Sequence, residues 1–245
     1  MGNLEWRRVA GFRVVMSWPQ AGFAPPPTSG VSLRARVAGF LGVALILAGI
    51  AVVGAALGAQ VHAPWPSRSA AGAIGPSGGR VHGPLRRSLP VSVDIPAIGV
   101  HARLLALGVN PDGTIAVPSL RTAAAEAAWY RYSATPGQAG VSVITGHVDT
   151  YRGAAVFFRL GALRPGNRVD VVLADGLTAV FRVTGVRQYT KSRFPAKTIY
   201  AAHGYAALRL ITCGGAFDHA TRNYLSSTVV FASLVSAWSP ARAGT

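Results

Sequence analysis

The 245-residue sequence holds a single cysteine and six histidines. Cys213 stands in Leu210-Ile211-Thr212-Cys213-Gly214-Gly215, at the end of an apolar, β-branched run and ahead of two glycines. A thiolate is a strong nucleophile, but a free thiol has a pKa of about 8.5, so attack at neutral pH needs a base beside it. His147 lies in Thr145-Gly146-His147-Val148-Asp149, directly after another β-branched run. The two residues share a strand-to-loop setting, which points to nucleophilic catalysis by a cysteine with a histidine acid/base. The alternative for a lone cysteine is a small buried hydrophobe, and a place beside a glycine-rich loop counts against it. His147 precedes Cys213 by 66 residues, so only the fold can bring them together.

The elements that must do so read as strands. From Leu89 onward the segments are short, β-branched and punctuated by turns. Val91–Ile95, Thr114–Val117 (after the turn Asn110-Pro111-Asp112-Gly113), Gly140–Thr145, Leu208–Thr212 and Thr228–Ala232 each read as a strand. Arg168–Leu173 and Leu177–Val183 read as a hairpin across Asp175-Gly176. Arg121–Tyr130 and Tyr151–Leu160 offer one or two short helices. Seven or eight short strands suggest a mainly β domain, a closed barrel or a sandwich.

Ahead of this domain lies a different kind of sequence. Residues 1–36 form a basic tail, and 37–59 run for 23 residues without a charge, enough to span a hydrocarbon core of about 30 Å. The span exceeds the short apolar core of a cleaved signal peptide, so an uncleaved transmembrane anchor is expected. Arginines at its N-terminal edge orient the tail to the cytoplasm and the domain to the outside. Residues 60–88 are rich in Pro, Gly, Ser and Ala and read as a linker without a core. The catalytic domain is expected over 89–237, with 238–245 as a tail.

Composition narrows the functional classes. A net charge of +16 would suit nucleic acid, but half of it lies before residue 91, and no nucleic-acid-binding motif appears. One cysteine excludes a disulfide scaffold and a multi-cysteine zinc site. The mean hydropathy of +0.35 agrees with one membrane span plus an alanine-rich domain.

Thr-Gly-His after a strand, followed late in the chain by Leu-Ile-Thr-Cys-Gly-Gly-Ala-Phe-Asp (210–218), inside a small β domain behind an anchor, resembles a sortase. The longer run is similar to the class F sortases found mainly in actinobacteria, and 22 arginines against two lysines suit a GC-rich genome of that kind. The resemblance covers about 89–235. It implies an eight-stranded sortase-type β-barrel and a His–Cys–Arg active site, with Cys213 as nucleophile and His147 as acid/base. The family arginine lies in or just before the strand after the cysteine loop; Arg222 is the only arginine between Cys213 and Ala232, while Ser226, Ser227 and Thr228 occupy the strand itself.

The resemblance also implies the reaction. Sortases cleave the Thr-Gly bond of an LPxTG-type signal through a thioacyl-enzyme and pass the acyl group to an amine. The partners are then surface proteins with a C-terminal sorting signal and an amine acceptor, either a wall precursor or a pilin lysine. Thr212 is expected beside the substrate, and the loop 188–207 is expected to border the groove with Phe194, Pro195 and Tyr200 as apolar contacts. Some sortases bind calcium near that loop; here it contains no Asp or Glu, so no metal and no cofactor are expected. The rival reading is a degenerate barrel that binds cell-surface components without catalysis.

Overall fold

The computed structural model describes residues 62–75, 83–201 and 204–239. The expected tail and span over 1–59 lie outside the described residues, as do His82, His203 and the end of the C-terminal tail. Among the described residues no helix is long and apolar enough to cross a membrane.

Ten strands follow one another: β1 (Pro90–Ile95), β2 (Val100–Leu107), β3 (Ala127–Tyr130), β4 (Gly140–Thr145), β5 (Asp149–Thr150), β6 (Gly153–Ala154), β7 (Arg168–Leu173), β8 (Thr178–Thr190), β9 (Ala206–Asp218) and β10 (Asn223–Trp238). Eight of them close a barrel in the order β1-β2-β3-β4-β9-β10-β8-β7, while β5 and β6 pair separately. Closure leaves no exposed edge. Two neighbouring pairs are parallel, β2 with β3 and β4 with β9, and the others are antiparallel.

The barrel interior is filled by alternate residues, among them Ile95, Trp129, Ile144, Val171, Phe181, Leu208, Leu210 and Val230. A second apolar cluster sits on the opposite face of β4, β9 and β10, formed by Val141, Val143, Ala207, Ile211, Val229 and Phe231. It is covered by Ile199 of a five-residue helix α1 (Ala196–Tyr200) and by Phe194 and Tyr205. Burial on both faces explains why β9 and β10 read as near-continuous apolar runs rather than as alternating ones.

Several expectations are corrected. Arg121–Tyr130 and Tyr151–Leu160 do not form helices; the first ends in β3, and the second holds turns and β6 before a 3-10 turn at Leu160–Ala162. Thr114–Val117 contributes only an isolated bridge, Ile115 with Val109. The α-helix forms inside the loop read as irregular, because its Ile199 is fully buried against the outer cluster. The asparagine turn and the Asp175-Gly176 hairpin form as read.

The described part of 60–88 is packed rather than a free linker. Ala70 is completely buried in the barrel core. Ala73 N–H donates to Thr184 O at 2.9 Å, and the Arg187 guanidinium donates to Ala71 O and Gly72 O at 3.2 and 3.0 Å. The segment is held mostly through its backbone, so its composition gave no sign of docking. Ala70→Glu would bury a carboxylate without a partner, at a cost that the segment avoids by leaving the barrel. The expected outcome is rapid tryptic cleavage after Arg68 in the variant and protection in the parent chain, followed by mass spectrometry.

Candidate active site

The site is built by one parallel pairing. Gly140 pairs with Ala206, Thr145 pairs with Ile211, and every partner between them keeps the same offset of 66 residues. The ladder continues past the end of β4. Gly146 N–H donates to Ile211 O at 3.2 Å, and Thr212 Oγ1 donates to Gly146 O at 2.8 Å. One residue further along the two segments stand His147 and Cys213. Adjacent strands lie about 4.8 Å apart, so the spacing of the two sequence motifs is the spacing of the register.

The path of the chain at this point depends on Gly146. A β-carbon there would come within 2.7 Å of both Phe157 Cδ2 and Val156 Cγ1. Beyond it His147 is held on two sides. Its carbonyl accepts the Phe157 N–H at 2.9 Å, and its Nε2 lies 2.6 Å from the Pro118 carbonyl. A carbonyl only accepts, so Nε2 carries the proton and Nδ1 is left as the acceptor nitrogen. Pro118 belongs to the β2–β3 connection, which Thr145 also grips by donating Oγ1 to Ala116 O at 3.4 Å.

Cys213 lies within β9 rather than at its end; the strand runs on to Asp218. It is free and half-buried. By the alternation of the strand it shares the outer face with Ala207 and Ile211, at the end of the outer apolar cluster. Gly215 follows at φ +80°, where the register of β9 and β10 shifts by a bulge between Tyr224 and Ser226. A cavity of about 10 Å³, room for a single water at most, lies against Cys213. Thr212, Gly214 and Thr228 line it from the strands, and Ala63 and Pro64 of the docked segment close it from the other side.

The expected residues are brought together unequally. Thr212 is bonded to Gly146, so the segments that carry Cys213 and His147 run side by side. Phe194 packs on the outer cluster, edge-on to Tyr189 at 6.2 Å and tilted on Tyr200 at 6.1 Å, and Pro195 precedes α1. Arg222 is not brought to the thiol. It sits exposed at the tip of the β9–β10 hairpin at φ +52°, whereas the residue paired with Cys213 is Ser227. Five steps along the chain separate Arg222 from Ser227, about 16 Å at 3.3 Å per residue. The cross-strand rung through Cys213 therefore reads Cys213, Ser227, Tyr189.

Three contributors had no clear sequence signal. Tyr224 donates its phenol to Asp149 Oδ2, which ties the loop after His147 to the strand beside Cys213. Burial, then the bond to Asp149, pushes the Tyr224 phenol well above the usual tyrosine range, and the Cys213 thiol adds a smaller push, so the phenol stays neutral. Ser227 faces Cys213 in register. Arg209 is buried, donates Nε to Ile199 O at 3.2 Å and lies 4.6 Å over the Phe231 ring, which fixes α1 to β9. Burial lowers its pKa, but a guanidinium keeps its charge at any working pH. Among the described residues no cluster of three His, Cys, Asp or Glu side chains is placed to hold a metal.

The described residues thus form a closed β-barrel with a free thiol on β9 and an imidazole fixed just beyond the neighbouring β4. The family model "Sortase domain" matches residues 93–235, more than half of the chain. The chain belongs to the sortase family, whose members are cysteine transpeptidases. Similar solved structures include sortase A of Listeria monocytogenes, at 16% identity over 64% of this chain and 93% of that one, with a TM-score of 0.47. A lid mutant of sortase A from Corynebacterium diphtheriae is 21% identical over 62% of this chain and 73% of that one, with a TM-score of 0.46. Sortase C-1 of Actinomyces oris is 20% identical over 59% and 73%, with a TM-score of 0.47. No curated protein sequence matches the chain.

The Thr212 hydroxyl is the bond that extends the ladder to the site. Thr212→Val keeps the shape, strands the Gly146 carbonyl and is expected to cost about 1–2 kcal/mol of stability, measured by urea unfolding.

Proposed function

We propose that this chain is a membrane-anchored sortase of class F-like type that cleaves the Thr-Gly bond of an LPxTG-type signal and transfers the threonyl group to an amine. The observation that supports the reading is the 66-residue register of β4 and β9, continued by the Thr212–Gly146 bond to the residues just before Cys213 and His147. Cys213 is the nucleophile. Nδ1 of His147 takes the thiol proton, and the thiolate attacks the threonyl carbonyl. The imidazolium then gives its proton to the leaving glycine amine, and a thioester remains. An incoming amine loses its proton to the same imidazole and displaces the thiol. The apolar part of the signal packs along the face walled by Phe194, Pro195 and Tyr200.

In this reading residues 37–59 anchor the chain as a single span, with 1–36 cytoplasmic and the barrel outside. The partners are surface proteins bearing the signal and a wall precursor or pilin lysine as acceptor.

One observation favours the second reading, a non-catalytic barrel. No arginine stands on the rung that faces Cys213; Ser227 and Tyr189 do. Loss of one oxyanion donor slows a comparable enzyme by about 10²–10³ and does not abolish bond cleavage. The two readings separate in one experiment. The full chain is incubated with a panel of LPxTG-type peptides and examined by mass spectrometry. A thioacyl adduct on Cys213, absent in Cys213→Ala, supports the enzyme; no adduct and no cleavage across the panel supports the binding module. Because Arg222 is remote, Arg222→Ala is expected to retain cleavage within about threefold, whereas His147→Ala loses about 10²-fold or more.

A further inference from the structure

A cleft of about 630 Å³ lies beside the small cavity at Cys213, with Phe158 lining both. Its volume is that of a small-molecule site. Arg121, Arg152 and Arg159 line it, and no Asp or Glu does. Among the described residues none of the three guanidiniums has an ion-pair or hydrogen-bond partner; Arg152 lies over the Tyr151 ring, at 5.1 Å. Several other guanidiniums of the barrel are engaged, among them Arg168 with Asp170, Arg103 with Glu126, Arg182 with Gly166 O and Arg187 with the docked segment. The acids near the cleft are committed too. Glu126 pairs with Arg103, Asp149 accepts from Tyr224, and Asp94 lies 3.7 Å from His101 Nδ1.

Three like charges around one concavity repel one another, and an oxyanion placed among them relieves that repulsion through charge-assisted bonds. The Thr122 hydroxyl on the same wall adds a donor. The walls are also the two segments that position the histidine. Arg121 lies in the β2–β3 connection whose Pro118 carbonyl holds His147, and Arg152 lies in the β5–β6 turn that follows Asp149.

We propose that this cleft binds an oxyanion, phosphate or carboxylate, carried by the amine acceptor, and so delivers the amine to the His147 side of the thioester. This rests on the acyl-transfer reading above. It concerns the second substrate, not the sorting signal, which the apolar face on the other side of Cys213 would hold.

The test has two arms on the full chain. In the first, inorganic pyrophosphate and succinate are titrated separately by calorimetry into the parent chain, Arg121→Ala, Arg159→Ala and, as a control of equal charge change, Arg193→Ala. Saturable binding of either probe, weakened about tenfold or more in the two cleft variants and unchanged in Arg193→Ala, supports the site, and the better probe tells phosphate from carboxylate. No saturable binding, or an equal loss in the control, overturns it. In the second arm, thioacyl enzyme is given glycylglycine or glycinamide. The cleft variants are expected to raise KM for glycylglycine, which carries a carboxylate, and to leave both KM for glycinamide, which carries none, and peptide hydrolysis unchanged. Anion binding lost in the variants with acceptor KM unaltered would overturn the acceptor assignment. If no peptide is cleaved, the acyl-transfer reading fails, while the first arm still decides the anion site.

Discussion

The constraint on which the site depends is the parallel pairing of β4 with β9. Neither strand carries the chemistry within the paired stretch itself. The pairing fixes a 66-residue offset, and the two strands then lead to Gly146 and Thr212 side by side, each one residue before His147 and Cys213. A shift of one residue would turn every side chain of a strand to the opposite face. The interior set (Ile144, Leu208, Leu210) and the outer set (Val143, Ala207, Ile211) are both buried, so a slip would be resisted from two sides. The Thr212–Gly146 bond carries that register one step beyond the backbone ladder.

Around this pairing the remaining elements act as clamps. The β2–β3 connection holds the His147 ring through Pro118, the Phe157 N–H holds its carbonyl, and Tyr224 holds Asp149. Helix α1, fastened by Arg209, covers the outer face and places Phe194 and Tyr200 along it. The docked segment 62–75 closes the small cavity at the thiol through Ala63 and Pro64. Most of these clamps are single hydrogen bonds to backbone carbonyls, which explains how loops with little sequence character build the site.

What was legible in the sequence follows from this. Strands bounded by strong turn chemistry, such as Gly140–Thr145 and the Asp175-Gly176 hairpin, were readable because local residues dictate them. Cys213 and His147 were readable because their residue types and settings fit one chemistry. The alanine-rich stretch before Tyr130 suggested helix by propensity, but pairing of Ala127–Tyr130 with β2 and β4 overrode it. The segment 62–75 carried no signal because it docks by backbone and one alanine. Arg222 was misplaced for a geometric reason. Which residue faces Cys213 depends on where the β9–β10 turn falls and on the bulge near Gly215, and only the structure shows that it is Ser227.

The central claim, that the β4–β9 register sets residue 147 against Cys213, is tested most directly by a disulfide. Neighbouring strand positions lie within the Cα separation that a disulfide spans. In the full chain, His147→Cys is oxidised mildly under dilute conditions and its thiols are counted after unfolding. The account predicts that both thiols disappear into an intramolecular bridge, while Thr145→Cys, whose position pairs with Ile211 two residues before Cys213, keeps both. Two free thiols in His147→Cys, or equal bridging from Thr145→Cys, would contradict it.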